Sequence, residues 1–191
     1  METRNRTLVG AGALLAFTVM LLVGLSSARS PSPSRAKDLK AAQGSFGLCA
    51  SEVQDPLLWG SDRSVAKNIC CHNHDYAEYA GYWKTTSFLS DHAGDGEITF
   101  YDSVSGLPLF IAPRGRSWDE FVAESTAHGW PSFRDAEVVT ENVRVLSGGE
   151  TLSVTGAHLG HNLPDGANRY CINLACVAGS PISIKQRRSR D

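Results

Sequence analysis

Residues 156–177 read GAHLGHNLPDGANRYCINLACV, and the interpretation of the whole chain depends on this stretch. It contains Cys171, with Arg169 two residues before it and His158 and His161 upstream. If the segment around Cys171 is a strand, Arg169 lies on the same face, and a nearby cation favours the thiolate form of a cysteine. Cys171 is therefore either a reactive thiol or, as its spacing alone favours, a buried or disulfide-bonded residue.

Beyond residue 91 the chain consists mostly of short alternating runs separated by Gly, Pro and Asp. Four runs predict antiparallel strands: EITFYD (97–102), LPLFIAP (107–113), ENVRVL (141–146) and TLSVTG (151–156). LSGGET (146–151) predicts the hairpin turn between the last two. The domain is therefore predicted to be mainly β.

A few helices are predicted as well. In SWDEFVAESTAHG (117–129), Ser117 and Glu120 form a capping box and Gly129 ends the helix. DPLLWG (55–60) and SDRSVAKNICCH (61–72) each indicate a short helix, the second with Ser61 or Asp62 as its N-cap.

The N-terminus indicates entry into the secretory pathway. Residues 8–25 form an 18-residue uncharged run after Arg4 and Arg6, so we assign residues 1–28 to a signal peptide or an uncleaved signal anchor. A Ser/Pro-rich linker (29–45), one folded domain (46–184) and a basic tail (185–191) follow. The protein is expected to be lumenal or secreted, and to contact a membrane only if the anchor is retained.

The charge pattern disfavours nucleic acid as a partner. The formal net charge is −2, and many of the basic residues lie near the two ends, which leaves an acidic domain between them. An acidic surface repels phosphate, so nucleic-acid binding is not expected.

Five cysteines raise the question of metal binding and pairing: Cys49, Cys70, Cys71, Cys171 and Cys176. In CCHNH (70–74) the adjacent cysteines are poorly placed to share one tetrahedral ion, and the HxxH of 158–161 has no third ligand, so no metal site is predicted. An odd number leaves one thiol over in an oxidising compartment. Cys171 and Cys176 would lie about 17 Å apart on opposite faces of one strand, which disfavours a bond between them.

Three motifs in this order resemble the B-type methionine sulfoxide reductases, which reduce the R epimer of methionine sulfoxide in proteins: GWPSF (129–133), GAHLGHNLPDG (156–166) and RYCIN (169–173). The similarity covers about residues 72–180 and includes YAEYAGYW (76–83) and SGLPLF (105–110). It implies a β-tent fold of two antiparallel sheets with short N-terminal helices, in agreement with the strand pattern.

The resemblance also implies a role for eight residues. The catalytic set is Cys171, His158, His161, Asp165, Arg169 and Asn173, and the substrate-binding set is Trp130 and Phe133. In this assignment the Cys171 thiolate attacks the sulfoxide sulfur and becomes a sulfenic acid, while a histidine protonates the departing oxygen. Arg169 stabilises the thiolate, Trp130 forms the wall of the methyl pocket, and Asn173 orients a histidine or a water.

Two departures from the family pattern change the expected chemistry. Asp102, Ser105, Leu152 and Thr155 stand where many relatives carry the two CxxC pairs of a structural zinc, so no zinc site of that type can form. His128 stands where many relatives carry a recycling cysteine. We expect no cofactor, but an external thioredoxin-like dithiol that regenerates Cys171.

The other four cysteines leave two alternatives for this turnover. Cys49, Cys70 and Cys71 could swing toward Cys171 as recycling thiols, or could be locked with each other and with Cys176 in structural disulfides, which an oxidising compartment favours.

The sequence therefore predicts an oxidoreductase that repairs methionine-R-sulfoxide in oxidised proteins. The alternative from another class is an inactive reductase-like module that binds methionine or methyl groups, and such a module would need the Trp130 pocket but no acid or thiolate. A disulfide-stabilised module without any site is a third alternative, and it leaves the Cys/His/Arg set unexplained.

Overall fold

A computed structural model describes residues 48–72, 77–92, 94, 96–163 and 165–182. The predicted signal or anchor, the linker and the basic tail lie outside the described residues. Within the described ranges, no helix is long and apolar enough to cross a membrane.

Two antiparallel sheets form the β structure, as predicted. The first pairs β1 (Ile98–Tyr101) with β2 (Pro108–Ala112). The second has the order β3-β7-β6-β5-β4, and its strands are β3 (Ser132–Arg134), β4 (Val143–Val145), β5 (Glu150–Ser153), β6 (His158–Leu163) and β7 (Arg169–Ile172). Strand β4 is followed by β5 through the predicted hairpin turn.

Within the part of the chain that the structure describes, three short α-helices and several single turns accompany the sheets. The helices are α1 (Arg63–Ala66), α2 (Phe88–Asp91) and α3 (Trp118–His128), and α1 continues into a π-helical turn, Lys67–His72. The 3₁₀ turns are Leu58–Gly60, Tyr82–Thr85, Asp135–Glu137 and Leu174–Cys176. The helix predicted in DPLLWG is thus only a 3₁₀ turn.

The predicted helix caps are present at the predicted positions. Asp62, one of the two predicted N-caps, accepts hydrogen bonds from the main-chain N–H groups of Ser64 and Val65. Ser117 and Glu120 form the capping box of α3, and Gly129 ends that helix with φ 91°. Glycine suits this position because other residues adopt a left-handed backbone only at a cost.

Aromatic side chains join the two sheets into one core. Phe100 of β1, Phe110 of β2 and Phe133 of β3 are fully buried, and Phe121 of α3 packs on the first and the third of these rings. Phe110 and Phe133 stack with ring centroids 4.3 Å apart. Burial of each such ring contributes about 2 to 3 kcal/mol, so this cluster is a principal stabilising element of the fold.

Two disulfides fix the N-terminal segment: one closes a loop within it, and the other ties it to the turn that follows the second sheet. Cys49 is bonded to Cys71, and Cys70 is bonded to Cys176 in the turn after β7. All five cysteines are within the described residues, and Cys171 is the one that remains free. The predicted disulfide role of the other four is confirmed, and the bonds indicate an oxidising, secretory-type environment.

A hydrogen-bonded cluster occupies the positions where the resemblance would have placed zinc ligands. Fully buried Asp102 accepts hydrogen bonds from the Ser105 hydroxyl (2.6 Å), the Thr155 hydroxyl (2.8 Å) and the Val104 main-chain N–H (2.9 Å). Leu152, the fourth position, is an apolar residue of β5. The cluster connects the β1–β2 loop to the β5–β6 turn without a metal ligand set, and no group of three His, Cys, Asp or Glu suited to a metal occurs among the described residues.

Candidate active site

Cys171 is a half-buried residue of β7, the strand that lies between β3 and β6. Its side chain is on the same face of the sheet as those of its ladder partners. Its direct partners are His161 of β6 and Ser132 of β3. Directly opposed residues of an antiparallel pair point to the same side of the sheet, with Cβ atoms about 4.5 to 5.5 Å apart. The ladder therefore places a histidine beside the free thiol.

A β-bulge brings the second histidine to the same face. Thr151 pairs with Gly160 and Leu152 pairs with His158, so Leu159 is an extra residue in β6. In a regular strand His158 and His161 would face opposite sides, but the extra residue restores a common face. Their ring centroids lie 5.5 Å apart.

Gly160 is required for this arrangement. It has φ 153°, a backbone conformation that favours glycine, and it lies against β7. A Cβ atom built there would collide with the carbonyl oxygen of Cys171 and would lie 3.0 Å from the Cα atom of Ile172. Any other residue would push β6 away from the thiol.

Glu150 is a contact of His158 that the sequence did not reveal. His158 is 1% exposed, and its Nδ1 lies 3.2 Å from the Glu150 carboxylate. The two residues are eight apart and meet only because β5 and β6 are paired across the bulge. A carboxylate in this position favours the tautomer in which Nδ1 carries the proton.

Arg169 and Asp165 form an ion pair at the start of β7. The Arg169 Nε and Nη2 atoms lie 2.8 and 2.7 Å from the same Asp165 carboxylate oxygen, and Arg169 is buried whereas Asp165 is exposed. The hydrogen bond from Arg169 lowers the pKa of Asp165. The Nη1 atom of Arg169 is buried and makes no hydrogen bond of ordinary geometry with any described residue.

Burial, and not Arg169, dominates the ionisation of Cys171. Desolvation raises the pKa of the thiol, the charge and hydrogen bonding of Arg169 lower it by less, and the charge of Glu78 raises it further. Arg169 acts in the direction expected from sequence, because it lowers the pKa of the thiol, and its role in stabilising the thiolate stays a prediction. Burial outweighs this effect, so the neutral thiol is favoured.

Asn173 bonds to the main chain of two other segments. Its Nδ2 group donates to the carbonyl of Leu159 (3.0 Å), and its Oδ1 accepts from the N–H of Glu78 (3.0 Å). Its expected role of orienting a histidine or a water stays a prediction, and these two bonds give Asn173 a supporting role as well. Because Leu159 is the bulged residue between the two histidines, Asn173 holds the bulge in place.

Trp130 and Glu78 are joined by a hydrogen bond. The half-buried Trp130 donates from its indole Nε1 to the main-chain carbonyl of Glu78 (2.8 Å). The Glu78 carboxylate is buried and accepts from the N–H groups of Leu174 (2.8 Å) and Ala175 (3.0 Å). Desolvation raises the pKa of Glu78 to about 7 despite these two bonds. An isolated acidic residue within the aromatic stretch YAEYAGYW is the signal that could have indicated it.

Phe133 belongs to the core and not to the substrate site. It is fully buried, stacks on Phe110, and pairs with Tyr170 in the β3–β7 ladder. Tyr170 and Cys171 are consecutive in a strand and point to opposite faces. The sequence-based assignment of Phe133 to substrate binding is therefore corrected.

His128, where the resemblance leads one to expect a recycling cysteine, is the exposed last residue of α3. The remaining cysteines are almost completely buried and disulfide-bonded. The described structure therefore holds no second free thiol for Cys171.

No protein-family model matches this chain, and no curated protein matches it significantly. The chemistry of the site must therefore be inferred from its own residues.

Proposed function

We propose that this protein is a peptide-methionine (R)-S-oxide reductase that acts on oxidised proteins of the secretory pathway. The observation that carries the proposal is the shared face of Cys171, His161 and His158, produced by one ladder pair and one bulge. A structural cysteine would need neither histidine, and a pure binding module would need no free thiol.

The chemical step is a two-electron exchange between two sulfur atoms. The Cys171 sulfur attacks the sulfoxide sulfur and forms an S–S bond while the oxygen is protonated. The oxygen then passes to the Cys171 sulfur, the methionine sulfur loses its bonds to oxygen and to Cys171, and a Cys171 sulfenic acid and methionine result. The methionine sulfur is reduced and the cysteine sulfur is oxidised, and the thiol proton ends on the transferred oxygen.

The two histidines carry out the proton transfers of this step. Because burial favours the neutral thiol of Cys171, attack requires a base that removes its proton and an acid that protonates the departing oxygen. His161, the ladder partner of Cys171, is placed to take the proton. His158, with Glu150 at its Nδ1, is placed to stabilise the positive charge that this transfer creates.

Substrate selection is assigned to Trp130. Its ring is half-buried and fixed through its Nε1, so its apolar face can hold the methyl group next to the sulfoxide. Arg169, held by Asp165, adds positive charge where negative charge develops on sulfur and oxygen.

Regeneration is assigned to an external thioredoxin-like dithiol. The sulfenic acid of Cys171 and two thiols give the free cysteine, one disulfide and one water, and the four other cysteines are already bonded and buried. The expected partners are thus oxidised protein substrates and this reductant.

The decisive experiment is an assay with separated R and S epimers of a methionine sulfoxide peptide, with dithiothreitol as reductant. The wild type should reduce only the R epimer, and Cys171→Ser should reduce neither while it retains its circular dichroism spectrum and melting temperature. Reduction that survives in Cys171→Ser would contradict the assignment. Binding of the R epimer without turnover by the wild type would favour the binding module instead.

A further inference from the structure

We propose that Glu78 is a positioning residue that holds the two walls of the Cys171 site and tunes the reactivity of the thiol through its charge. The sequence motifs assign no role to Glu78. The part of this inference that concerns turnover rests on the proposed function, whereas the part that concerns the thiol does not.

The main chain of Glu78 contacts both sides of the site. Its carbonyl accepts the indole N–H of Trp130 at 2.8 Å, and its N–H donates to Asn173 Oδ1 at 3.0 Å. Asn173 in turn holds the bulged Leu159 between the two histidines. A shift of Glu78 would therefore move the methyl pocket and the histidine pair together.

The side chain of Glu78 fixes the position of that main chain. Its two carboxylate oxygens accept the N–H groups of Leu174 and Ala175, in the turn Leu174–Cys176 that follows Asn173. Each of these two N–H donors has its own carboxylate oxygen as acceptor. A glutamine would present its NH₂ group to one of them, and an aspartate is one methylene too short to keep the same pair of bonds without a shift.

Glu78 also acts on Cys171 through space. Its carboxylate is bonded to the N–H groups of Leu174 and Ala175, the third and fourth residues after Cys171. From this position its negative charge raises the pKa of the Cys171 thiol, by less than burial does and against the opposing effect of Arg169. The titratable groups nearby are His161, the ladder partner of Cys171, and two residues on the side of Glu78. Burial and, to a lesser extent, Glu78 raise the pKa of Tyr82, and His72 lines with Glu78 a cavity of about 570 Å³. Because Glu78 itself titrates at about 7, its effect on the thiol is expected to appear as the pH rises through neutrality.

The first experiment measures alkylation of Cys171 by iodoacetamide in the full chain, between about pH 6 and pH 10. Cys171 is the single free thiol, so the rate reports on it alone. We expect Glu78→Gln to react about three- to tenfold faster than the wild type just above neutral pH, because the carboxylate no longer opposes the thiolate. Glu78→Asp keeps the charge and should react at nearly the wild-type rate.

Positioning is measured separately. Turnover of the R-sulfoxide peptide should fall about tenfold or more in both Glu78→Gln and Glu78→Asp, mainly in kcat, because both variants disturb the bonds to the turn. Amide hydrogen exchange of Leu174 and Ala175, followed by NMR, should accelerate in both and requires no turnover.

A matched control is Glu137→Gln, which changes another buried glutamate whose carboxylate pairs with Arg116. It should leave the alkylation rate of Cys171 unchanged. Equal alkylation rates for Glu78→Gln and the wild type, or wild-type turnover and amide exchange in both Glu78 variants, would overturn the inference. If the wild type reduced neither epimer, the proposed function would fail, while alkylation and amide exchange would still decide the role of Glu78.

Discussion

His161 of β6 and Cys171 of β7 are direct partners across an antiparallel ladder, with a glycine next to His161 that packs on the Cys171 carbonyl. The distance between thiol and imidazole is thus set by main-chain hydrogen bonds and not by flexible side chains alone. A rigid pair of this kind lowers the cost of bringing base and nucleophile together.

Gly160→Ala should abolish most activity. The new methyl group would collide with the Cys171 carbonyl, so β6 must move away from β7. We expect kcat/KM to fall by at least about 100-fold and the free energy of unfolding to fall by about 3 kcal/mol. Steady-state kinetics and urea unfolding measure the two effects. Gly148→Ala, where a Cβ meets nothing within 4 Å, is the control and should behave like the wild type. Full activity in Gly160→Ala would show that the ladder pair is not needed.

One equivalent of sulfoxide peptide, added without reductant, should leave Cys171 as a sulfenic acid. The four other cysteines are bonded and buried, so no internal thiol can condense with it. Dimedone labelling followed by peptide mass mapping should place the adduct on Cys171, and Cys171→Ser should remain unlabelled. A new bond from Cys171 to Cys49, Cys70 or Cys71 would instead identify a recycling cysteine.

The two disulfides should differ in their contribution to stability. Cys70–Cys176 spans 106 residues and Cys49–Cys71 spans 22, and in the chain-entropy account the longer loop restricts the unfolded chain more. Replacing Cys70 and Cys176 with alanine should lower the free energy of unfolding by about 5 kcal/mol. Replacing Cys49 and Cys71 should lower it by about 3 kcal/mol. Denaturant unfolding of the two double variants measures the difference. Equal losses of stability in the two double variants would mean that packing around the disulfides, and not loop length, determines how much each one stabilises the fold.

Glu78 should make the protein less stable as the pH rises from about 4.5 to about 7. Its pKa is about 7 in the folded protein against an ordinary value of 4.5, so in this window the folded state binds the proton more tightly than the unfolded state. The contribution reaches about 3 kcal/mol at most. Glu78→Gln should remove this slope from the pH dependence of the free energy of unfolding. A slope that persists in the variant would have to come from other groups.

Asp102→Ala should destabilise the fold by about 2 to 4 kcal/mol, because two hydroxyls and one N–H lose their buried acceptor. Thermal unfolding measures the loss, and Glu141→Gln at an exposed position is the control. Elemental analysis of the purified wild type should find no stoichiometric zinc. Zinc bound at this cluster, or an unchanged melting temperature in Asp102→Ala, would contradict its description as a stabilising hydrogen-bonded cluster without a metal.

Local features of this protein could be predicted from sequence alone. The capping box of Ser117 and Glu120, the helix end at Gly129 and the hairpin at 146–151 depend on neighbours within a few residues, and the structure confirms them. The odd number of cysteines required one thiol without an intramolecular partner, and Cys171 is that thiol.

Only the tertiary structure determines which distant residues meet and how burial shifts the pKa of the site residues. Glu78 meets Asn173 across 95 positions, and Cys70 bonds to Cys176 across 106, contacts that no local periodicity encodes. The bulge at Leu159 turns an i, i+3 histidine pair onto one face, although a regular strand would separate them. The pKa of Cys171 depends on the balance between its burial and the charges of Arg169 and Glu78, and burial exists only once the whole chain has folded.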